Sequence, residues 1–186
     1  ADIIEKYATY DFTEAIPTST GKLFRLGGLI EGTNRNFDKK GREWARIKME
    51  CIGGRAEIIV FNEKYLRYKE IIQEGNVVFV SGNPENRSET GNVKMLAEHI
   101  VSLDRAEDQL SKHLNILINP DSISTKEIDE LYKIAEQYQG DTRLVLHIPK
   151  NGRHQKILAH NIRVSTDSTF FKKLKKIYGR QNIWIE

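Results

Sequence analysis

The chain has 186 residues, 30% of them charged and 39% hydrophobic, and its 29 basic and 26 acidic side chains leave a formal net charge of +3. That balance fits one large or two small globular domains and excludes a disordered chain. The apolar runs, such as residues 77–80, fall far short of the ~20 residues of a membrane-spanning helix. A single cysteine, Cys51, excludes an internal disulfide and a cysteine-based zinc site. Residues 1–20 lack the basic start and greasy stretch of a secretory signal, so a cytoplasmic location is expected. The sequence opens on Ala1 rather than Met, as a piece of a longer protein would.

Two breaks in composition organise the chain. Ile16-Pro17-Thr18-Ser19-Thr20-Gly21 is turn-rich and sets residues 1–20 apart as a head or linker. Asp104-Arg105-Ala106-Glu107-Asp108 is charged and lacks apolar periodicity, so residues 104–110 read as a second linker. Between them, residues 21–103 read as five strands and one helix. Strand one, 23–33, is apolar and interrupted by Gly27-Gly28, the mark of a sharp bend. A polar loop follows over 34–41. Strand two, 43–51, alternates, with Ala45, Ile47 and Met49 on one face and Trp44, Arg46 and Lys48 on the other. Gly53-Gly54 predicts a hairpin turn and 55–61 the third strand. Residues 62–73 read as a helix capped by Asn62, with Tyr65, Leu66, Tyr68 and Ile72 along it. An unbroken apolar run, 77–82, predicts a buried fourth strand, and 92–103 a fifth beyond the loop 83–91. Five strands with a helix between the third and fourth is the order of the OB-fold barrel.

The remainder, 111–186, has a different rhythm. A strand over 114–118 ends at Asn119-Pro120. Ser124 then caps a helix, and Glu127 three residues on completes a capping box. Ile128, Leu131, Ile134, Ala135 and Tyr138 form the apolar stripe of that helix, which stops at Gly140-Asp141. Strands over 143–148 and 155–164 flank Asn151-Gly152, a hairpin signal. Asp167 or Ser168 caps a helix to about Tyr178, with Phe170, Phe171, Leu174 and Ile177 as its apolar stripe. A last strand is expected over 181–185. The order is βαββαβ, expected to pack in the split, ferredoxin-like arrangement, and the whole chain is α+β.

The residues that carry chemistry cluster between strands one and two. Arg35, Lys39, Lys40 and Arg42 place four cations in a loop that also holds Phe37, and the outward row Trp44, Arg46, Lys48 adjoins it. Cations suit a phosphate backbone, and aromatic rings stack on bases of any sequence. The second loop, with Glu85, Arg87 and Glu89, is a poor phosphate clamp. Lys172, Lys173, Lys175 and Lys176 near the C-terminus form a basic helix face suited to a solvent-exposed or partner-facing role. The histidines His99, His113, His147, His154 and His160 lack metal-ligand spacing, and no phosphate-binding loop or nucleophile elbow occurs. No cofactor, metal or catalytic centre is expected.

The runs Leu26-Gly-Gly-Leu-Ile30, Lys39-Lys-Gly-Arg-Glu-Trp-Ala-Arg-Ile-Lys-Met49 and Ala56-Glu-Ile-Ile-Val-Phe61 resemble, in order and spacing, one family: the OB region of the bacterial replicative DNA polymerase III α subunit. The likeness continues through Tyr65–Tyr68 and 77–82 to Gly140-Asp141-Thr142 and 171–177. The family's acidic residue before the turn between strands two and three is replaced here by Cys51-Ile52-Gly53-Gly54. The resemblance implies a non-catalytic piece of a DNA polymerase whose catalytic carboxylates lie upstream. It further implies single-stranded template DNA as a ligand of the barrel and the clamp-loader tau subunit as a partner of the C-terminal module. Gln181 to Glu186 weakly resembles a peptide that binds the sliding clamp, against the simpler reading of an edge strand.

The expected nucleic-acid contacts are Arg35, Phe37, Lys39, Lys40, Arg42, Trp44, Arg46 and Lys48. The expected partner contacts are Lys172, Lys173, Lys176, Gln181 and Trp184. The alternative is a protein–protein interaction module in which the barrel binds no DNA.

Overall fold

A computed structural model describes residues 2–16, 23–85, 88, 91–118, 124–150 and 153–186. These divide into two compact units, Ile3–Ala106 and Glu107–Glu186. The Pro17–Gly21 turn, Arg87, Asn119-Pro120 and Asn151-Gly152 lie outside the described residues.

The first unit is a closed five-stranded barrel built from β1 (Arg25–Phe37), β2 (Glu43–Cys51), β3 (Gly54–Phe61), β4 (Val77–Pro84) and β5 (Asn92–Ser102). Its strands run in the order β1-β2-β3-β5-β4. Only the β3–β5 pair is parallel. This is the OB fold, with helix α2 (Asn62–Tyr68) between β3 and β4. Alternation in the strands builds the interior: Ala45, Ile47 and Met49 of β2 and Ala56, Ile58 and Val60 of β3 are all at most 3% exposed.

Strand β1 closes the barrel because it serves two neighbours. Arg25 to Leu29 pair with β4, and Gly28 to Phe37 pair with β2. At Gly28 a Cβ would lie 2.3 Å from the Glu50 carbonyl oxygen, so the close approach demands glycine. The expected glycine bend is where the strand passes from one partner to the other.

Three elements differ from the sequence reading. The described part of the head is no free linker: helix α1 (Asp2–Tyr7) and the residues after it pack on the barrel. Tyr7 meets Phe79 edge to face at 5.7 Å, and Tyr10 and Phe12 join the core. Arg25, itself buried, donates to the Tyr7 carbonyl at 3.2 Å and to Ser81 Oγ at 3.1 Å, and so fastens this strap. The α2 helix is shorter than expected, and Asn62 is its first residue, not its cap. Phe61 holds the cap position without a side-chain hydrogen bond, and Asn62 takes a left-handed φ of 39° where the chain turns from strand to helix. Residues 104–110, read as a linker, are instead a 3-10 turn (Leu103–Arg105) leading into helix α3 (Ala106–Leu110), whose Ala106 and Leu110 are buried.

The second unit carries β6 (His113–Leu117), α4 (Thr125–Gln137), β7 (Gln139–Lys150), β8 (Arg153–Val164), α5 (Ser168–Tyr178) and β9 (Ile183–Ile185). The element order is the expected βαββαβ. The strand order is β8-β7-β6-β9, with β6 and β7 adjacent and parallel. The split, ferredoxin-like pairing expected from the element order is therefore not the one adopted. A direct crossover through α4 lays β7 beside β6 and pushes β8 to the edge. Ser124 and Glu127 form the full capping box of α4, and Asp167 caps α5 through a 2.9 Å bond from the Phe170 amide. The stripe of α5 buries Phe170, Phe171 and Leu174, but Ile177 is half exposed.

Replacing Tyr7 with alanine removes a nearly buried ring and should lower unfolding free energy by about 3 kcal/mol, in the range for deleted core aromatics. Urea denaturation measures it; a change below about 0.5 kcal/mol, the size of an ordinary surface substitution, would show that the strap is not part of the cooperative unit.

Candidate nucleic-acid interface

The β1–β2 pairing continues past the barrel to Phe37 opposite Glu43, so much of the expected loop is a two-stranded ribbon. Only residues 38–42 form its tip. Asp38 organises that tip: its carboxylate accepts from the Lys40 amide at 2.8 Å, the Arg42 amide at 2.9 Å and Arg42 Nε at 2.8 Å. The Arg42 amide foremost holds its pKa below the ordinary carboxylate range, with the Arg42 side chain and the Lys40 amide adding to it. Gly41, at φ 73°, makes the reversal. Lys39 and Lys40 project from the tip, exposed, with no ion-pair partner among the described residues.

Register sorts the expected contacts onto two faces. Side chains of paired residues share a face. Trp44 lies opposite Asn36 and Arg46 opposite Asn34, so these four point outward with Lys48. Arg35 lies opposite Ala45 and Phe37 opposite Glu43, which places Arg35 and Phe37 on the other face of the ribbon. The expectation that Phe37 continues the surface of Trp44, Arg46 and Lys48 is corrected here. A strand's period of two separates them. On its own face Phe37 is 63% exposed, with the Arg35 guanidinium 5.6 Å from its ring centre.

The outward face extends instead onto β3. Phe61 pairs with Trp44, their rings 5.9 Å apart, and Ile59 pairs with Arg46. Phe61 is 45% exposed. The Arg46 guanidinium lies 6.0 Å from the Trp44 ring. Phe61 was missed in the sequence reading, although the inward set Ala56, Ile58, Val60 already puts Arg55, Glu57, Ile59 and Phe61 outside.

Three of the six cations are already paired within the chain: Arg35 with Glu43, Arg42 with Asp38, and Arg46 with Glu57 at 3.8 Å. These arginine side chains are about half exposed, and exposed pairs contribute only about 0–1 kcal/mol. An incoming phosphate can therefore replace a carboxylate at small cost. Lys39, Lys40 and Lys48 have no such partner among the described residues.

Elsewhere the candidates separate. Lys172, Lys173, Lys176 and Gln181 are exposed on the second unit. Trp184 is 3% exposed, on β9 opposite Asn115, with its ring 4.7 Å from that of His147. It is a core residue and offers no surface to a partner, which removes the basis for a clamp-binding peptide at the C-terminus. His147 is also buried and hydrogen-bonded to Asn115 at 2.8 Å. Burial, reinforced by Glu31 and Glu50, pushes the Cys51 thiol up to about 12, so it stays protonated and unreactive at neutral pH. Among the described residues no group of three or more His, Cys, Asp or Glu side chains is placed to hold a metal, and no helix is long and apolar enough to cross a membrane.

No protein-family model matches the chain. It is similar to DNA polymerase III subunit alpha of Vibrio cholerae, 23% identical over 190 residues, covering 98% of this chain and 16% of that protein. The Escherichia coli K12 subunit is 21% identical over 91% of this chain and 15% of its own length. The Pasteurella multocida subunit is 26% identical over 73% and 12%. The family resemblance read from the motifs is thus present along nearly the whole chain, which spans between about an eighth and a sixth of the length of these relatives. Among solved structures, the mitochondrial single-stranded DNA binding protein Rim1 of Saccharomyces cerevisiae has a TM-score of 0.36 at 16% identity, covering 44% of this chain and 92% of that one. DNA binding domain A of yeast replication protein A has a TM-score of 0.37 at 15% identity, covering 52% and 93%. Scores this low bear on neither fold nor function.

Because the Asp38 pKa is depressed, its ordering of the tip is complete above the ordinary carboxylate range and is lost as pH falls through the lowered value. In an NMR titration Asp38 should therefore titrate below the ordinary aspartate value, with the Lys40 and Arg42 amide shifts moving alongside it. Titration of Asp38 at the ordinary aspartate value would show that the turn is not held this way.

Proposed function

We propose that this chain is a non-catalytic C-terminal region of a DNA polymerase III alpha subunit. In this reading the barrel, residues 21–103, binds single-stranded DNA, and the module at 111–186 docks a protein of the replication machinery, the clamp-loader tau subunit. The polymerase chemistry belongs to the rest of the longer protein. The sliding clamp is not part of this reading, because Trp184, in the segment that resembles a clamp-binding peptide, is buried.

The observation that carries the DNA reading is the outward pair Trp44–Phe61, flanked by Arg46 and Lys48 and bordered by the lysine-bearing ribbon tip. Two rings on adjacent strands give bases something to stack on, and the cations track the backbone. A base stacked on an aromatic side chain contributes about 1–3 kcal/mol. Phe37, on the opposite face of the ribbon, serves a strand that wraps the tip.

A second reading, a barrel that contacts protein only, draws on the three internal arginine–carboxylate pairs, which offset half of the six positive charges of this surface. Salt dependence separates the two. On single strands each phosphate contact contributes about −0.7 to the slope of log K against log[salt], so the three unpaired lysines alone predict a slope near −2. The slope steepens toward about −4 if phosphates displace all three carboxylates.

Titrating labelled single- and double-stranded oligonucleotides at several salt concentrations should give salt-sensitive binding that prefers the single strand. K39E/K40E should weaken it at least tenfold, and W44A by about 1–3 kcal/mol, with circular dichroism unchanged. No binding at low salt would leave the protein-contact reading. For the second unit, immobilised chain should retain purified tau subunit from solution; failure to retain it would remove tau as the partner.

A further inference from the structure

The sheet of the second unit has two edges, and they are not alike. Strand β9 is three residues long, with Ile183, Trp184 and Ile185 all buried. Strand β8 is twelve residues long and, among the described residues, pairs with β7 alone. Along it Gln155, Lys156, Ile157 and Leu158 are all exposed in succession. Because successive side chains point to opposite faces, the strand is open on both sides there.

The cross-strand ladder is left incomplete at this place. Leu146 and Val145 of β7 are 5% and 8% exposed, yet their partners Ile157 and Leu158 are 39% and 37% exposed. Each face of the sheet thus steps from a buried apolar residue to a half-open one at the edge. One added strand covers Ile157 on one face and Leu158 on the other, and gives the edge's outward amide and carbonyl groups partners. The pairing with β7 shifts between Leu158 and Arg163, and this irregularity confines the regular open edge to the stretch up to Leu158, the length of a short extended peptide.

Charge selects the occupant. Strand β8 itself contains Arg153, Lys156 and Arg163 and no aspartate or glutamate. A second copy of the chain would set one basic edge against another. A nucleic acid would satisfy the cations but leave the apolar pair and the backbone groups unmatched. We propose that the β8 edge is a docking site for an extended acidic peptide, with apolar and carboxylate residues alternating, which adds to the sheet as a fifth strand. The proposal deepens the docking half of the proposed function and rests on the second unit being a docking module.

The probe is a terminally blocked, fluorescently labelled nonapeptide of alternating valine and glutamate, titrated into the full chain by anisotropy. Binding should be saturable, weakened at least tenfold by I157K/L158K, and weakened as much when the central valine of the probe is replaced by proline. Replacing every glutamate of the probe by lysine should abolish it. R67E/K69E, exposed at the end of α2 in the barrel, should leave it within twofold. Amide hydrogen exchange adds a test on the unmodified protein: amides within 155–158 should slow when the probe saturates. Equal binding by the proline probe, insensitivity to I157K/L158K, unchanged exchange, or displacement of the peptide by oligothymidine in the K39E/K40E background would each overturn the proposal. Tau retention distinguishes the two levels. If tau is held but the peptide is not, the edge is wrong and the docking reading stands; if the peptide is held but tau is not, the edge stands and the named partner falls.

Discussion

The barrel depends on one strand satisfying two neighbours. β1 pairs with β4 through its first residues and with β2 through the rest, and the two sets of pairs overlap at Gly28 and Leu29. A closed barrel has no free edge there, but the strand must bend where it changes partners, and at Gly28 no side chain fits against the Glu50 carbonyl. The irregularity between Ile30 and Gly32 then resets the register before the ribbon leaves the barrel. Everything at the candidate interface follows from that register. It fixes which ribbon residues share a face with Trp44 and Arg46, and it carries Lys39 and Lys40 out to the tip.

Most elements of the fold could be read directly from the chain. Alternation in 43–51 placed that strand and its buried face, the Gly53-Gly54 turn placed the next strand over 55–61, and the Ser124–Glu127 box marked the start of α4 through purely local chemistry. What could not be read was set by long-range pairing. Asn62 looks like a cap, but the barrel demands a left-handed turn at that residue and leaves its side-chain oxygen buried without a hydrogen-bond partner among the described residues. The βαββαβ order is compatible with more than one sheet, and nothing in residues 111–186 distinguishes a split pairing from a direct crossover. Ile177 fits the helical stripe of α5 yet remains half exposed, because the stripe is wider than the surface that covers it.

The candidate site was legible in composition but not in geometry. The cations and Trp44 were visible as residue types that suit a single strand. That Arg35 and Phe37 turn away from Trp44 depends on the pairing of β1 with β2, and the ribbon hid it by looking like a loop. Phe61 was within reach of the sequence, since the inward set of β3 already leaves it outside. Trp184 shows the converse error, in which an aromatic near a terminus suggests a surface anchor but belongs to the core of a small sheet.

The exposed arginine–carboxylate pairs offset three of the six positive charges on this surface, and pairs so exposed contribute little to stability. The central claim is that this face, and not another part of the chain, meets single-stranded DNA. Amide and aromatic NMR shifts of the isotope-labelled chain, followed as oligothymidine is added, test it most directly. The account predicts shifts concentrated in residues 34–48 and 57–61, with the Trp44 indole and Phe61 ring signals moving upfield as bases stack on them. Shifts absent from those residues, or confined to residues 111–186, would contradict it.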